Sequence, residues 1–106
     1  MNIVNLTPHT ITLYNEDGVA KNFESSGVAR CNEESILDGY IGSVPVFKKV
    51  YGEVYGLPEP AYDTIYIVSY IVLRALNNER PDVYGVTETV RNEAGQIIGF
   101  RALSSL

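Results

Sequence analysis

The sequence predicts an α+β fold, mainly antiparallel sheet with one short helix. Three observations carry that prediction. Segments rich in β-branched residues alternate apolar and polar side chains, as half-buried strands do. A polar Asn-Glu-x-Gly turn separates such segments twice, at Asn15–Gly18 and Asn92–Gly95. One apolar run long enough for only a short helix follows Ser69.

The elements follow in chain order. Thr10-Ile11-Thr12-Leu13-Tyr14 reads as a strand, Asn15–Gly18 as its turn and Val19–Phe23 as the return. Gly takes φ > 0 where the chain reverses, so residues 10–24 form a hairpin. Ser25-Ser26-Gly27 breaks the chain, and Val28–Asn32 reads as a further strand. Residues 33–43 are acidic and Gly-containing and read as a loop or a short hairpin. Val44–Tyr51 reads as a strand whose Pro45 suits an edge or a start, because Pro has no N–H to donate. Residues 52–63, with two Gly and two Pro, read as a loop. Thr64-Ile65-Tyr66-Ile67-Val68 reads as the central strand. Ser69 is placed to cap a helix near 69–78 that is apolar nearly all round and therefore buried on most sides. Asn77-Asn78 end it, and Pro81 forbids continuation. Thr87–Arg91, the turn at Asn92 and Gln96–Ala102 form the second hairpin, within 87–103.

The 106 residues make one small domain, 1–106, with no linker or low-complexity stretch. Thirteen acids against eight bases give a net charge of −5. A protein that coats a nucleic-acid polymer needs a basic surface to displace counterions, so no such polymer is expected as a partner. One Cys excludes an intrachain disulfide, and one His excludes a two-His metal site within a protomer. The N-terminus has no basic n-region or apolar h-region. The longest apolar-rich stretch, 65–76, is far shorter than the ~20 residues of a membrane span. The expectation is a cytoplasmic protein without membrane contact. Apolar residues left over from so small a core point to a homo-oligomer.

No catalytic constellation, cofactor fingerprint or metal site is legible. His9 is the sole candidate base; its plainer reading is a strand-start ring hydrogen-bonded to backbone. Cys31 follows Arg30, which can lower a thiol's pKa, but it reads more simply as a small half-buried side chain. Five of the eight bases are Arg. Arg clamps phosphate with a planar fork and stacks on rings. Arg30 and Arg91 stand near strand ends, where function and structure weigh about evenly. Arg80 reads as a salt bridge to Asp82 or a helix C-terminus contact, and Arg74 as the partner of an internal acid. Eight Tyr offer flat faces on which a base can stack, and Tyr66 is the first candidate.

Several segments in order carry a resemblance: Asn5-Leu6-Thr7-Pro8-His9-Thr10-Ile11, Gly27-x-Ala29-Arg30, Val44-Pro45-Val46, Tyr51-Gly52-Glu53-Val54, Tyr66-Ile67-Val68-Ser69 and Arg91-Asn92-Glu93-x-Gly95. This order resembles a family of small bacteriophage and prophage proteins over essentially the whole chain. Leu-Thr-Pro-His is the most specific part. The chain departs from the family pattern in having Ser25-Ser26-Gly27 for Pro-Ser-Gly, and Arg91-Asn92 for Arg-Asp. The pattern is also similar to that of phage anti-Thoeris sponge proteins. Those bind cyclic ADP-ribose isomers made by TIR-domain immune enzymes, and some also hold cyclic oligonucleotides. They sequester the signal without cleaving it.

The resemblance implies that Arg30 and Arg91 hold a pyrophosphate and Tyr66 stacks on the adenine. It implies that Asn77, Asn78 or Asn92 reads a ribose or base edge, in a pocket between protomers. His9 completes the candidate set as a ligand contact. Two other functions stay open: a small enzyme acting on a phosphorylated metabolite with His9 as base, and a phage structural or protein-interaction module.

Overall fold

A computed structural model describes all residues, 1–106. Eight strands and one helix follow in order: β1 (Asn2–Asn5), β2 (Ile11–Tyr14), β3 (Ala20–Phe23), β4 (Arg30–Ile41), β5 (Val44–Tyr55), β6 (Thr64–Ile67), α1 (Tyr70–Leu76), β7 (Val83–Arg91) and β8 (Ile97–Ser104). The fold is α+β, with both expected hairpins in place. β2 pairs antiparallel with β3, and β7 with β8.

The two hairpin turns solve one problem in one way. Asn15 Oδ1 accepts from the N–H groups of Asp17 and Val19, each at 3.0 Å. Asn92 Oδ1 accepts from those of Ala94 and Gln96, each again at 3.0 Å. Gly18 and Gly95 then take φ of 78° and 79°. An Asn side chain that mimics a backbone turn, followed by a Gly in the left-handed region, is why both sequences reverse there.

Parallel pairings join the hairpins into a six-stranded sheet of order β1-β6-β7-β8-β2-β3. β1 runs parallel to β6, and β6 to β7 through the crossover helix α1. β1 is an element that the sequence reading did not contain; four residues ahead of a Thr-Pro turn leave too short a pattern. Ile67 is 0% exposed but lies outside the main cluster; that core lies where α1 covers β6 and β7, with Val68 1% exposed. Tyr66, Val72, Leu73, Leu76, Val83, Leu6 and Ala29 are also buried there.

Two expectations about α1 need correction. Ser69 occupies the N-cap position with extended φ/ψ, but its hydroxyl makes no capping bond. Its carbonyl still accepts from Leu73 N–H at 3.0 Å. The helix is also buried on one side only, through Val72, Leu73 and Leu76, while Tyr70 and Ile71 stay exposed.

The larger departure lies in residues 30–55. The stretch read as the end of a strand, a loop or short hairpin, a strand and the start of a loop is one continuous ribbon of two twelve-residue strands, β4 and β5, forming a separate two-stranded sheet. Gly42 and Ser43 connect them, with Gly42 at φ +60°, as a type II′ turn requires at its first central residue. The root of this arm packs on α1, with Cys31 and Val54 against the core. No residue of either strand is fully buried. The arm stretches the molecule to a radius of gyration of 16.6 Å, against about 13 Å for a compact chain of this length.

Candidate functional site

The opening Asn-Leu-Thr-Pro-His segment is organised by Asn5, which is 1% exposed. Its Nδ2 donates to the carbonyls of His9 (2.7 Å) and Phe23 (2.9 Å). Its Oδ1 accepts from Thr7 N–H (2.9 Å) and from the Thr7 hydroxyl (2.7 Å). One amide thus ties β1, the Thr-Pro turn and β3 together. The sequence reading missed it; the available signal was an Asn two residues before a Thr-Pro, an Asx-turn placement. It was His9's carbonyl, not its ring, that fixed the turn. The His9 side chain is exposed and makes no hydrogen bond.

The turn held by Asn5 forms one wall of a cleft of about 320 Å³ at the root of the arm. Leu6, Thr7 and Pro8 line it from the turn, Val28 and Ala29 from the segment entering β4, Arg30, Cys31 and Glu33 from the start of β4, Tyr55 from the end of β5, and Ser69, Ile71 and Val72 from the cap and first turn of the helix. Gly56 closes the arm onto this wall. It has φ +79°, and a Cβ there would stand 2.7 Å from the Val28 carbonyl, so the passage requires Gly.

Arg30 is the cation of this cleft. It is exposed and has no carboxylate partner. Glu33, the one acid of the lining, is engaged by Lys49, whose pKa is raised first by that hydrogen bond and then by the carboxylate's charge. Tyr55 is 53% exposed and presents a ring. An unpaired guanidinium, an open aromatic face and the Ser69 hydroxyl therefore line one recess, together with apolar side chains and the Lys49-paired Glu33.

The remaining expected site residues fall elsewhere. Arg91 ends β7 and donates from Nη1 to the Gly95 carbonyl at 2.7 Å, bracing its own turn. Asn92 supplies that turn's Oδ1 and donates to Gln96 Oε1 at 3.1 Å. Tyr66 is 4% exposed, so it has no free face for a base. Its hydroxyl donates to the Glu59 carbonyl at 3.1 Å, and the Arg80 guanidinium stands 6.0 Å from the ring centre. Asn77 is the left-handed C-cap of α1 (φ 48°). Asn78, also left-handed (φ 65°), lines a second recess of about 270 Å³ beside Arg80 and Tyr84.

Arg80 meets Asp82 as a fork, Nε to Oδ1 and Nη2 to Oδ2, both at 2.9 Å, and also donates to the Pro58 carbonyl. The Arg80 hydrogen bond holds Asp82 below the ordinary carboxylate value. The expected salt bridge is present. Arg74 does not pair with an internal acid; it is exposed, on the open side of the helix, beside Lys48, Lys49 and Tyr51. No helix is long and apolar enough to cross a membrane. No family model matches the chain, and neither a curated protein nor a solved structure aligns with it.

Proposed function

We propose that the chain binds a small phosphorylated nucleotide in the arm-root cleft and holds it without cleaving it. The ligand class is that implied by the phage sponge resemblance: a cyclic ADP-ribose isomer acting as an immune signal in the host cytoplasm. The observation that carries the reading is Arg30, a cation without an acid partner, beside the exposed Tyr55 ring in a recess of about 320 Å³. That volume lies within the usual range for small-ligand pockets. Arg30 suits a phosphate oxygen, because a guanidinium makes charge-assisted, bidentate bonds. Tyr55 replaces Tyr66 as the stacking face, and the Ser69 hydroxyl suits a ribose or phosphate oxygen. The net charge of −5 does not oppose a single anion held this way, since distant charges are screened within about 8 Å at physiological salt.

Holding without cleavage is tested by mixing the protein with a cyclic ADP-ribose isomer, removing free ligand, heat-denaturing the protein and analysing the supernatant by mass spectrometry. Intact ligand is expected. A hydrolysed product would overturn the reading and favour an enzyme with His9 as base. Absence of any bound nucleotide would leave the protein-interaction reading standing in its place.

A further inference from the structure

The β4–β5 arm exposes an apolar tip that the ligand reading does not use. Leu37, Tyr40 and Phe47 are 48%, 64% and 57% exposed. Ile36, Ile41 and Val44 are 43%, 75% and 63% exposed. The register places these two sets on opposite faces. Leu37 lies across from Phe47, Tyr40 from Pro45, and Ile41 from Val44, with an irregularity between Leu37 and Gly39. The ribbon is thus apolar on both sides. Strands of that kind are ordinarily covered on both faces. A two-stranded hairpin with nothing against it is marginal in water.

The surface area says how much cover is missing. The chain exposes 7425 Å², whereas a compact monomer of 11.7 kDa exposes about 5,900 Å². The excess is roughly 1,500 Å² per chain. Two copies burying that excess would hide about 3,000 Å², inside the range of obligate homodimers. Between Ser35 and Phe47 the only charged side chain is Asp38, so two tips can meet without like-charge repulsion of note. Further apolar residues, Tyr70 on α1 and Ile97 and Ile98 on β8, are exposed on the body for a partner's arm to reach.

We propose that the arm is a dimerisation element: the tip of one chain is covered by a second copy of the same chain, through a shared, reciprocal contact. One face of each ribbon meets the partner's arm, and the other meets the partner's body.

Sedimentation of the full chain over about 1–200 µM tests this, because association is concentration-dependent. The wild-type chain should pass from the 11.7 kDa monomer mass to twice that mass across this range, and the double variant Ile41→Glu/Val44→Glu should stay at the monomer mass throughout. Both substituted side chains are exposed in the single chain, so an unchanged circular dichroism spectrum should accompany the loss. Hydrogen exchange reads the same contact without substitution. Amides 36–47 of the wild-type chain should exchange at least tenfold more slowly at the high concentration than at the low one. The proposal is overturned by a wild-type monomer throughout, by a dimer that survives in the double variant, or by arm exchange indifferent to concentration. A monomer whose arm gains protection only on lipid vesicles would overturn it too.

Discussion

The body and the arm of this molecule are both β-rich, yet different forces hold them. In the body, α1 closes over β6 and β7, and Ile67 and Val68 are almost wholly removed from water. Apolar burial is the dominant favourable term there. Even its polar centre is satisfied, with all four Asn5 side-chain hydrogen bonds made internally. The arm has a longer ladder than any in the body but no fully buried residue. Backbone hydrogen bonds exchanged for water contribute little net stability each. A long ladder therefore specifies the arm's shape without fixing it firmly in place. The lesson is that register and burial are separable, and that the cleft sits where the firm region meets the loose one.

Several substitutions would break or sharpen this contrast. The largest effect is expected from Asn5→Leu, which leaves the Phe23 carbonyl and the Thr7 N–H without their partner and the His9 carbonyl with only the Thr7 hydroxyl. Unsatisfied buried groups cost about 1–3 kcal/mol each, so a loss of roughly 3 kcal/mol or more in urea unfolding is expected. A loss under about 1 kcal/mol would show that the turn holds itself. Asp82→Asn comes next, at about 2 kcal/mol, because it removes the charge from the mostly covered fork of Arg80.

The same pair predicts a pH dependence. Arg80 keeps the folded pKa of Asp82 below its ordinary 3.8, so folding favours the ionised carboxylate. The stability it contributes is complete above the unfolded value and is lost as pH falls through the lower folded value. Thermal melts of wild type and Asp82→Asn should therefore draw together as pH falls below 3.8 and stand fully apart above about pH 5. A gap that persists undiminished at low pH would mean that the charge contributes nothing.

The smallest effect on stability belongs to Arg30→Ala. Arg30 is exposed and pairs with no acid, so its loss should shift unfolding by no more than about 0.5 kcal/mol. A large destabilisation would assign Arg30 to the fold and remove the cation from the proposed site.

How much of this was legible in the sequence follows the same division. The two Asn-x-x-Gly hairpins could be read because each is set locally, by one Asn side chain and one Gly. The central strand and the helix could be read because their apolar runs are continuous. The arm could be read only in part. Glu33, Glu34, Gly39 and Pro45 are poor strand residues, and only their cross-strand register makes them a ribbon. β1 depends on a distant parallel partner, β6, which no local pattern reveals.

The site divided likewise. Arg30 was identified as a candidate and does line the cleft. Arg91 and Asn92 carried the same residue types but are occupied by their turn, a contact visible only in three dimensions. Tyr66 and Tyr55 are indistinguishable by type; burial separates them, at 4% and 53% exposed.

The contrast between the two arginines is also the sharpest test of the proposed function. Isothermal titration of a cyclic ADP-ribose isomer should be run into wild type, Arg30→Ala and Arg91→Ala, all checked for unchanged circular dichroism. Loss of a charge-assisted contact worth about 1.5–3 kcal/mol weakens binding roughly 10- to 100-fold. That weakening is predicted for Arg30→Ala, with Arg91→Ala binding like wild type. Binding that survives Arg30→Ala, or that is lost with Arg91→Ala instead, would contradict the account.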